Sequence, residues 1–344
     1  MPSDTMEFEL EVTEGLEHLA SAEVAGRLGV SAATIDQGTG WLRFASVRPF
    51  RQWPTLRLAE SAFQVETFEV PRPKSLLGDQ HFRRLVSTIQ RVSSGYPEPP
   101  QTLSVAAAGS DSSVMCRLRE ELARATGLND AGREGDVQIR LFRARADGGW
   151  DTLIRLTPRP LSTRAWRVCS FPGALNATVA SAMAQLTLPR PNDRFVNLLS
   201  GSGTILIERL SLGSAYMAGG IDLNYERLAC TAKNVLAAGL GGRVALLNGD
   251  GRQTPFRVGT IDALCADLPF GQRVGRHAEN LALYPDILAE AARIARLGAR
   301  FVVLTHEVAL TERAIRENHD WHLLQSLTLN LRGLHPRIYV LERV

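Results

Sequence analysis

The sequence predicts an α/β protein. A doubly wound, mostly parallel sheet with a final antiparallel hairpin occupies residues 161–344, and two smaller α+β modules precede it at 1–62 and 63–160. Three observations carry this. From Phe195 onward, short apolar runs alternate regularly with segments of helical period. Runs such as Phe301–Thr305 are almost continuously apolar, as parallel strands covered on both faces should be. The alternation opens on a short strand, the turn Gly201-Ser202-Gly203-Thr204, and a helix carrying Ile205, Ile207 and Leu210. Such a turn offers bare backbone and unpaired helix N–H groups to a ligand.

Composition narrows the class. A chain of 344 residues suits two or three domains. It has no membrane-length apolar run, and its N-terminus, Met-Pro-Ser-Asp-Thr-Met-Glu-Phe, has no secretory pattern. A cytoplasmic monomer is expected. Cys116, Cys169, Cys230 and Cys265 form no CxxC pair and read as buried free thiols, with no zinc site or disulfide framework. Residues 1–160 hold 19 basic and 21 acidic side chains, and residues 161–344 hold 20 and 15. The C-terminal half is thus mildly basic, which is compatible with nucleic acid without requiring it. Lys74 and Lys233 are the only lysines; the other cations are arginines, which grip phosphate bidentately.

In order, residues 7–12 alternate as a half-buried strand, and 16–28 place Leu16, Leu19, Ala20, Val24 and Leu28 on one helical face that Gly29 ends. Strands follow near 34–37 and 41–44, then a helix over roughly 51–62. Residues 80–92 read as a helix, 102–107 as a strand and 112–126 as a helix capped by Ser112 or Asp111. Two alternating runs, 137–143 and 150–156, flank a glycine turn and form a strand pair. Trp41, Trp53 and Trp150 show no base-stacking spacing and read as core. A helix runs through Ala182, Met183 and Leu186. Beyond the glycine turn come strands at 214–221, 244–247, 261–266 and 301–305, helices at 225–238 and 283–297, and a closing hairpin of 322–330 and 337–341.

The strand ends hold the chemistry. Asp222, about twenty residues past the glycine turn, is placed to bond the ribose hydroxyls of an adenosine cofactor. Asp250 is placed to accept from an adenine amine. Either acid also suits a helix cap or a turn. Asp267-Leu268-Pro269-Phe270 is the most informative tetrapeptide. The lone pair of a base's exocyclic amine is delocalised into the ring. Acceptors on its two hydrogens, the Asp267 carboxylate and the Leu268 carbonyl, draw the nitrogen towards a tetrahedral geometry. Pro269 stiffens the turn and Phe270 offers a face for a flipped base. Positioning supplies most of the acceleration, and no metal is needed.

This set resembles the class I S-adenosylmethionine-dependent methyltransferases, and within them the THUMP-containing guanosine N2-methyltransferases of tRNA. The match rests on Asp267-Leu268-Pro269-Phe270-Gly271-Gln272-Arg273, then His277, Leu283-Tyr284-Pro285 and Leu304-Thr305-His306-Glu307. Leu156 to Arg167 is similar to the tail of a THUMP domain entering a methyltransferase, and Thr13-Glu14-Gly15-Leu16-Glu17 to the start of the ferredoxin-like module that accompanies it. Asn176-Ala177-Thr178 resembles a segment lining the cofactor pocket, with Ala177 where proline is usual. The resemblance implies a Rossmann-like catalytic domain at 161–344, a ferredoxin-like domain at 1–62 and a THUMP domain at 63–160 that together hold a tRNA 3′ end. It implies S-adenosylmethionine bound by Asn176, Thr178, Asn197, Ser200, Gly201, Ser202, Gly203, Thr204, Asp222, Leu223, Asp250 and Gly251. It places RNA against Arg159, Arg164, Arg167, Arg273, Arg276 and His277. Asn197 stands where the family carries an acid that holds the cofactor's ammonium, which implies weaker binding. The expected activity is N2-methylation of a tRNA guanosine, at position six of the acceptor stem; position ten of tRNA, rRNA, or a catalytically weak RNA- and cofactor-binding role are the alternatives.

Overall fold

The computed structural model describes residues 5–109, 111–145, 148–269, 277–331 and 333–344. It divides into two compact units, one running to Val12 and then over Glu17–Ser162, the other comprising Thr13–Leu16 and Thr163–Val344.

The first unit holds β1 (Met6–Val12), α1 (Glu17–Leu28), β2 (Asp36–Gly38), β3 (Trp41–Ser46), β4 (Ala59–Phe68), α2 (Asp79–Ser93), β5 (Thr102–Ala107), α3 (Ser113–Thr126), β6 (Asn129–Asp130), β7 (Val137–Arg143) and β8 (Trp150–Arg155). All eight strands join one sheet in the order β2-β3-β1-β4-β8-β7-β5-β6. The Ser112 hydroxyl accepts from the Met115 N–H, and Gly127 closes α3 in the left-handed conformation at φ 73°.

The helix expected over 51–62 is not formed. Phe50–Gln52 makes a single 3-10 turn, and Ala59 begins β4, which pairs with β1 on one side and β8 on the other. Only Glu60 and Thr67 of its ten residues escape full burial, so the strand shows no alternation to reveal it. β4 also crosses 62/63, so the same sheet carries the residues on both sides of that position. The tryptophans need a second correction. Trp53 packs against Phe8, Phe44 and Phe50, but Trp41 and Trp150 are only half-buried and lie under the guanidiniums of Arg145 and Arg143. A ladder of ions crosses this face: Arg43 joins Glu9 at 2.7 Å and Asp151 at 2.8 Å, and Arg145 joins Glu9 at 3.0 Å.

The second unit holds α4 (Ala177–Leu186), β9 (Arg194–Leu198), α5 (Thr204–Leu212), β10 (Met217–Asp222), α6 (Tyr225–Ala237), β11 (Ala245–Asn248), β12 (Ile261–Asp267), α7 (His277–Ile294), β13 (Ala295–Thr305), α8 (Val308–Glu317), β14 (Trp321–Thr328) and β15 (Arg337–Arg343). The sheet order is β11-β10-β9-β12-β13-β15-β14, parallel up to β13 and antiparallel at β15 and β14. The chain winds outward from β9 through β10 and β11, then returns to the other side of β9 with β12. That reversal is a topological switch point, where α/β sheets place ligands. The core below it includes Val196, Leu198, Leu264, Phe301 and Tyr339, all essentially buried.

Two elements differ from the sequence reading here. α7 stops at Ile294 and β13 begins at Ala295, where Ala295 pairs with Ile261 and Gly298 adopts φ 76°. Helix α8 lies where no element was assigned. Thr13–Leu16 belongs with this unit: Glu14 bridges to Asn330, and a Cβ on Gly15 (φ 94°) would sit 2.1 Å from the Thr328 carbonyl oxygen.

An ion pair anchors the base of the sheet. Arg209, fully buried, meets Asp193 at 3.0 Å and donates to the Arg190, Gly213 and Ser214 carbonyls. Removing one partner of a buried pair leaves the other charge uncompensated. Arg209→Met is expected to cost about 3–5 kcal/mol, read from urea unfolding, and adding Asp193→Asn is expected to recover part of that loss. Equal instability in single and double variants would show that packing, not charge, sets the cost.

Candidate active site

The parallel ladder brings the predicted residues together. Asn197 of β9 lies opposite Gly220 and Cys265, Asp222 lies opposite Asn248, and Asp267 lies opposite Leu304. The carboxyl ends of β9, β10, β11 and β12 therefore share one edge.

The turn after β9 needs three unusual residues in a row of five. Leu199, Gly201 and Gly203 have φ of 60°, 55° and 77°. Glycine takes such values freely, while Leu199 is held there by its surroundings. The Asp222 carboxylate does much of the holding. One oxygen accepts from the Gly201 N–H at 2.8 Å, the other from the Asn224 N–H at 2.9 Å. Helix α6 secures the far side: Thr231 donates to the Gly201 carbonyl at 2.7 Å and Asn234 to the Ser202 carbonyl at 2.9 Å. A Cβ on Gly203 would lie 2.6 Å from the Thr231 methyl, so only glycine allows this approach.

Asn197 is completely buried. Its amide donates to the Leu198 and Cys265 carbonyls at 3.0 and 3.3 Å, bonds that a carboxylate has no proton to make. Its Oδ1, the Ser200 hydroxyl and Asp267 Oδ1 are buried without a hydrogen-bond partner among the described residues. Three orphaned polar atoms at the ends of adjacent strands fit a ligand that carries donors of its own.

Asp267 is the electrostatic centre. Burial alone pushes its carboxyl from 3.8 up to about 7. The Leu268 N–H extends the ladder to the Leu304 carbonyl at 3.0 Å. The Pro269 carbonyl receives Asn280 Nδ2 at 3.0 Å and the Tyr284 hydroxyl at 2.8 Å. Glu307 joins the same cluster, accepting from Asn280 at 2.6 Å and contacting His277 Nδ1. Asn280, Tyr284 and Glu307 were assigned no role from the sequence. Tyr284 and Glu307 stood in quoted motifs, whereas Asn280 had no signal.

The other expected cofactor residues have partners of their own or lie beside the turn. Asn176 caps α4, accepting from the Thr178 N–H and hydroxyl at 2.9 Å, and Thr178 is fully buried with its hydroxyl 3.1 Å from that of Thr13. Both serve the helix. The Ser202 and Thr204 hydroxyls lie 2.9 Å apart. Asp250 is chelated by Arg252, whose hydrogen bonds hold its carboxyl below the usual range. Gly251 packs near Ile287, and Leu223 is exposed.

The cations need correcting. Arg164 is buried in an ion pair with Glu208 at 2.8 Å, and Arg167 donates to the Leu175 carbonyl and the Thr204 hydroxyl. Neither projects toward a polyanion, because buried acceptors claim them first. Arg159 is exposed, as is His277. Phe270, Arg273 and Arg276 lie outside the described residues. The free-thiol expectation fails for Cys169 and Cys230, which form a disulfide with Cα atoms 5.4 Å apart. Their separation of 61 residues hid the proximity that the Cys169–Asn234 backbone bonds create. Cys265 is free and buried, and Cys116 is free and half-buried. Among the described residues no group of three or more His, Cys, Asp or Glu is placed to hold a metal ion, and no helix is long and apolar enough to cross a membrane.

Residues 164–337 match the family model described as RMKL-like, methyltransferase domain. A tRNA (guanine(6)-N2)-methyltransferase of Thermus thermophilus is 33% identical over 235 residues, spanning 67% of this chain and 68% of that one. The tRNA (guanine(6)-N(2))-methyltransferase THUMP3 of Bos taurus is 31% identical over 204 residues, spanning 55% of this chain but only 40% of the relative. Among solved structures, TrmN from Thermus thermophilus superposes with a TM-score of 0.73 at 25% identity, covering 98% of this chain and 100% of that one. A possible methylase from Clostridium difficile shares the fold, with a TM-score of 0.70 at 16% identity and 99% of each chain covered.

The raised Asp267 carboxyl has a stability consequence. A group whose folded value lies above its unfolded value costs no stability below the unfolded value, and the cost grows as pH rises towards the folded value. Asp267→Asn is therefore expected to melt above the wild type, by a margin that widens from about pH 4 to pH 7 and levels off beyond, following the linkage. Thermal unfolding between pH 5 and pH 8 measures it; a margin independent of pH would show that burial does not perturb Asp267.

Proposed function

The chain belongs to the RMKL-like methyltransferase domain family, and from that premise we propose that it transfers a methyl group from S-adenosylmethionine to the exocyclic N2 of a guanosine in tRNA, at position six of the acceptor stem. The observation that carries this reading is the end of β12. Asp267 stands there, its Oδ1 buried and its carboxyl raised to about 7, beside a backbone turn in which the Pro269 carbonyl is fixed by two donors.

The residues present fit the cofactor. The left-handed turn Leu199 to Gly203 leaves bare backbone beside β10, and the orphaned Asn197 Oδ1 and Ser200 Oγ supply acceptors. Asn197 offers the cofactor's ammonium a dipole in place of a charge, while its own amide holds β9 to β12. Asp222, fixed by two backbone N–H groups, keeps lone pairs for ribose hydroxyls. Exposed Leu223 presents apolar surface to the adenine, and Asp250 with Gly251 borders it. The bound cofactor supplies an electrophilic methyl on a sulfonium.

The chain's own residues prepare the amine. The Asp267 carboxylate accepts a hydrogen bond from one N2–H and the Leu268 carbonyl accepts one from the other; after transfer the acidic methylated ammonium gives up one proton. The nitrogen lone pair is thereby turned out of conjugation and towards the methyl group. The acceptors' directionality supplies the orientation. We assign Phe270 to base stacking, and Arg159, Arg273, Arg276 and His277 to substrate phosphates. We assign the ferredoxin-like and THUMP parts of the first unit to the tRNA 3′ end, and the protein to a cytoplasmic monomer.

Tritiated S-adenosylmethionine, with bulk tRNA and rRNA as acceptors, tests the reading. Label on tRNA that digests to N2-methylguanosine, and that Asp267→Ala abolishes, is the expected result. Label on rRNA alone, or on neither, rejects it. Because the Asp267 acceptor must be ionised, kcat/KM for S-adenosylmethionine, which reports the chain before the cofactor binds, is expected to rise about tenfold between pH 6 and pH 8, the increase a group titrating near 7 produces.

A further inference from the structure

We infer that Tyr284 and Asn280 are positioning residues that set the geometry of the amine acceptors by saturating the neighbouring carbonyl of Pro269. The inference rests on the methyl-transfer reading above. A carbonyl oxygen has two lone pairs, and at Pro269 both are taken, by Asn280 Nδ2 at 3.0 Å and the Tyr284 hydroxyl at 2.8 Å. Pro269 oxygen is thus an anchor, and the acceptors left for the substrate amine are the Asp267 carboxylate and the Leu268 carbonyl.

The direction of each bond can be assigned. Tyr284 has a single proton, and it goes to Pro269. Its oxygen therefore accepts from the Thr305 hydroxyl at 2.8 Å, and Thr305 in turn accepts from the Glu307 N–H at 2.9 Å. A directed chain runs from Glu307 N–H through Thr305 and Tyr284 to the Pro269 carbonyl. Each bond polarises the next. Asn280 closes the cluster from the other side, fully buried and held at its amide by Glu307 Oε1 at 2.6 Å. Tyr284 itself is 1% exposed, and burial drives its hydroxyl far above the ordinary value, so it stays a donor across the working pH range.

The turn is pinned on both sides of Leu268. Its N–H is bound to the Leu304 carbonyl at 3.0 Å, and the Pro269 carbonyl is bound by two side chains of α7. Between these two fixed points the Leu268 peptide has little freedom to rotate. Among the described residues Asp267 Oδ1 has no hydrogen-bond partner, so that oxygen does not itself hold the turn. Hydroxyl and amide on α7 therefore act through Pro269 and not by touching substrate.

The test is steady-state methylation of a tRNA transcript by the full chain, with S-adenosylmethionine binding measured separately by calorimetry. Tyr284→Phe keeps the ring and loses the donor. It is expected to lower kcat about 10- to 100-fold, as small misplacements of reacting groups do, while KM for tRNA and the calorimetric Kd stay within about twofold of wild type, the signature of an interaction felt in the transition state. Should Tyr284→Phe not fold, Thr305→Val weakens the same chain one bond further out and is expected to show a smaller loss of the same kind. Unchanged kcat in the folded variant overturns the inference, and so does a loss accounted for by weaker cofactor or tRNA binding. Absence of methylation by the wild type would instead overturn the methyl-transfer reading itself.

Discussion

The central place of β9 is the constraint from which the rest of the site follows. With β10 on one side and β12 on the other, its parallel register places Leu198 between Ile221 and Ala266. One residue further on, the turn from Leu199 to Gly203 must leave the sheet between two strand ends that each deliver an acid. Asp222 spends its carboxylate on backbone N–H groups and makes the turn rigid. Asp267 Oδ1 makes no such bond among the described residues. Two acids at equivalent heights thus differ because one has local N–H donors and the other is desolvated without a donor for its Oδ1 among the described residues.

Much of this was legible from the amino-acid pattern. Parallel strands announced themselves by continuous apolar runs, the turn by its glycines, and the strand-end acids by their spacing from it. What the pattern concealed has physical reasons. β4 is buried on both faces between two antiparallel neighbours in the middle of a mixed sheet, so its apolar residues looked like the end of a helix. Arg164 and Arg167 looked like phosphate-facing cations because charge is visible in a sequence and burial is not; their partners Glu208 and Thr204 lie 44 and 37 residues away. The Cys169–Cys230 bridge likewise depends on contacts made by Asn234. Asn280 was invisible because a single buried amide has no periodicity.

Asn197 shows how one substitution can be read two ways. As a missing acid it is a deficit, a lost charge for the cofactor's ammonium. In the folded chain it is also a donor to Leu198 and Cys265, tying the central strand to the strand that ends in Asp267. A carboxylate at a fully buried position would face those carbonyls without a proton to share, and would add a second desolvated charge near Asp267. Under the proposed cofactor reading, the neutral side chain trades attraction for the ammonium against its bonds to the Leu198 and Cys265 carbonyls.

That trade bears on the protonation of Asp267. Among the described residues, burial is what sets its carboxyl near 7. The acids at the other strand ends are already answered, Asp250 by Arg252 and Asp222 by backbone N–H groups. An unpaired buried acid favours any positive charge that enters beside it, and that charge in turn lowers the acid's proton affinity. Under the proposed function, a sulfonium bound at the end of β9, the strand adjacent to β12, lowers the proton affinity of Asp267 and favours the ionised form that the proposed acceptor role needs. On that proposal the binding of the methyl donor and the ionisation of Asp267 become one linked equilibrium.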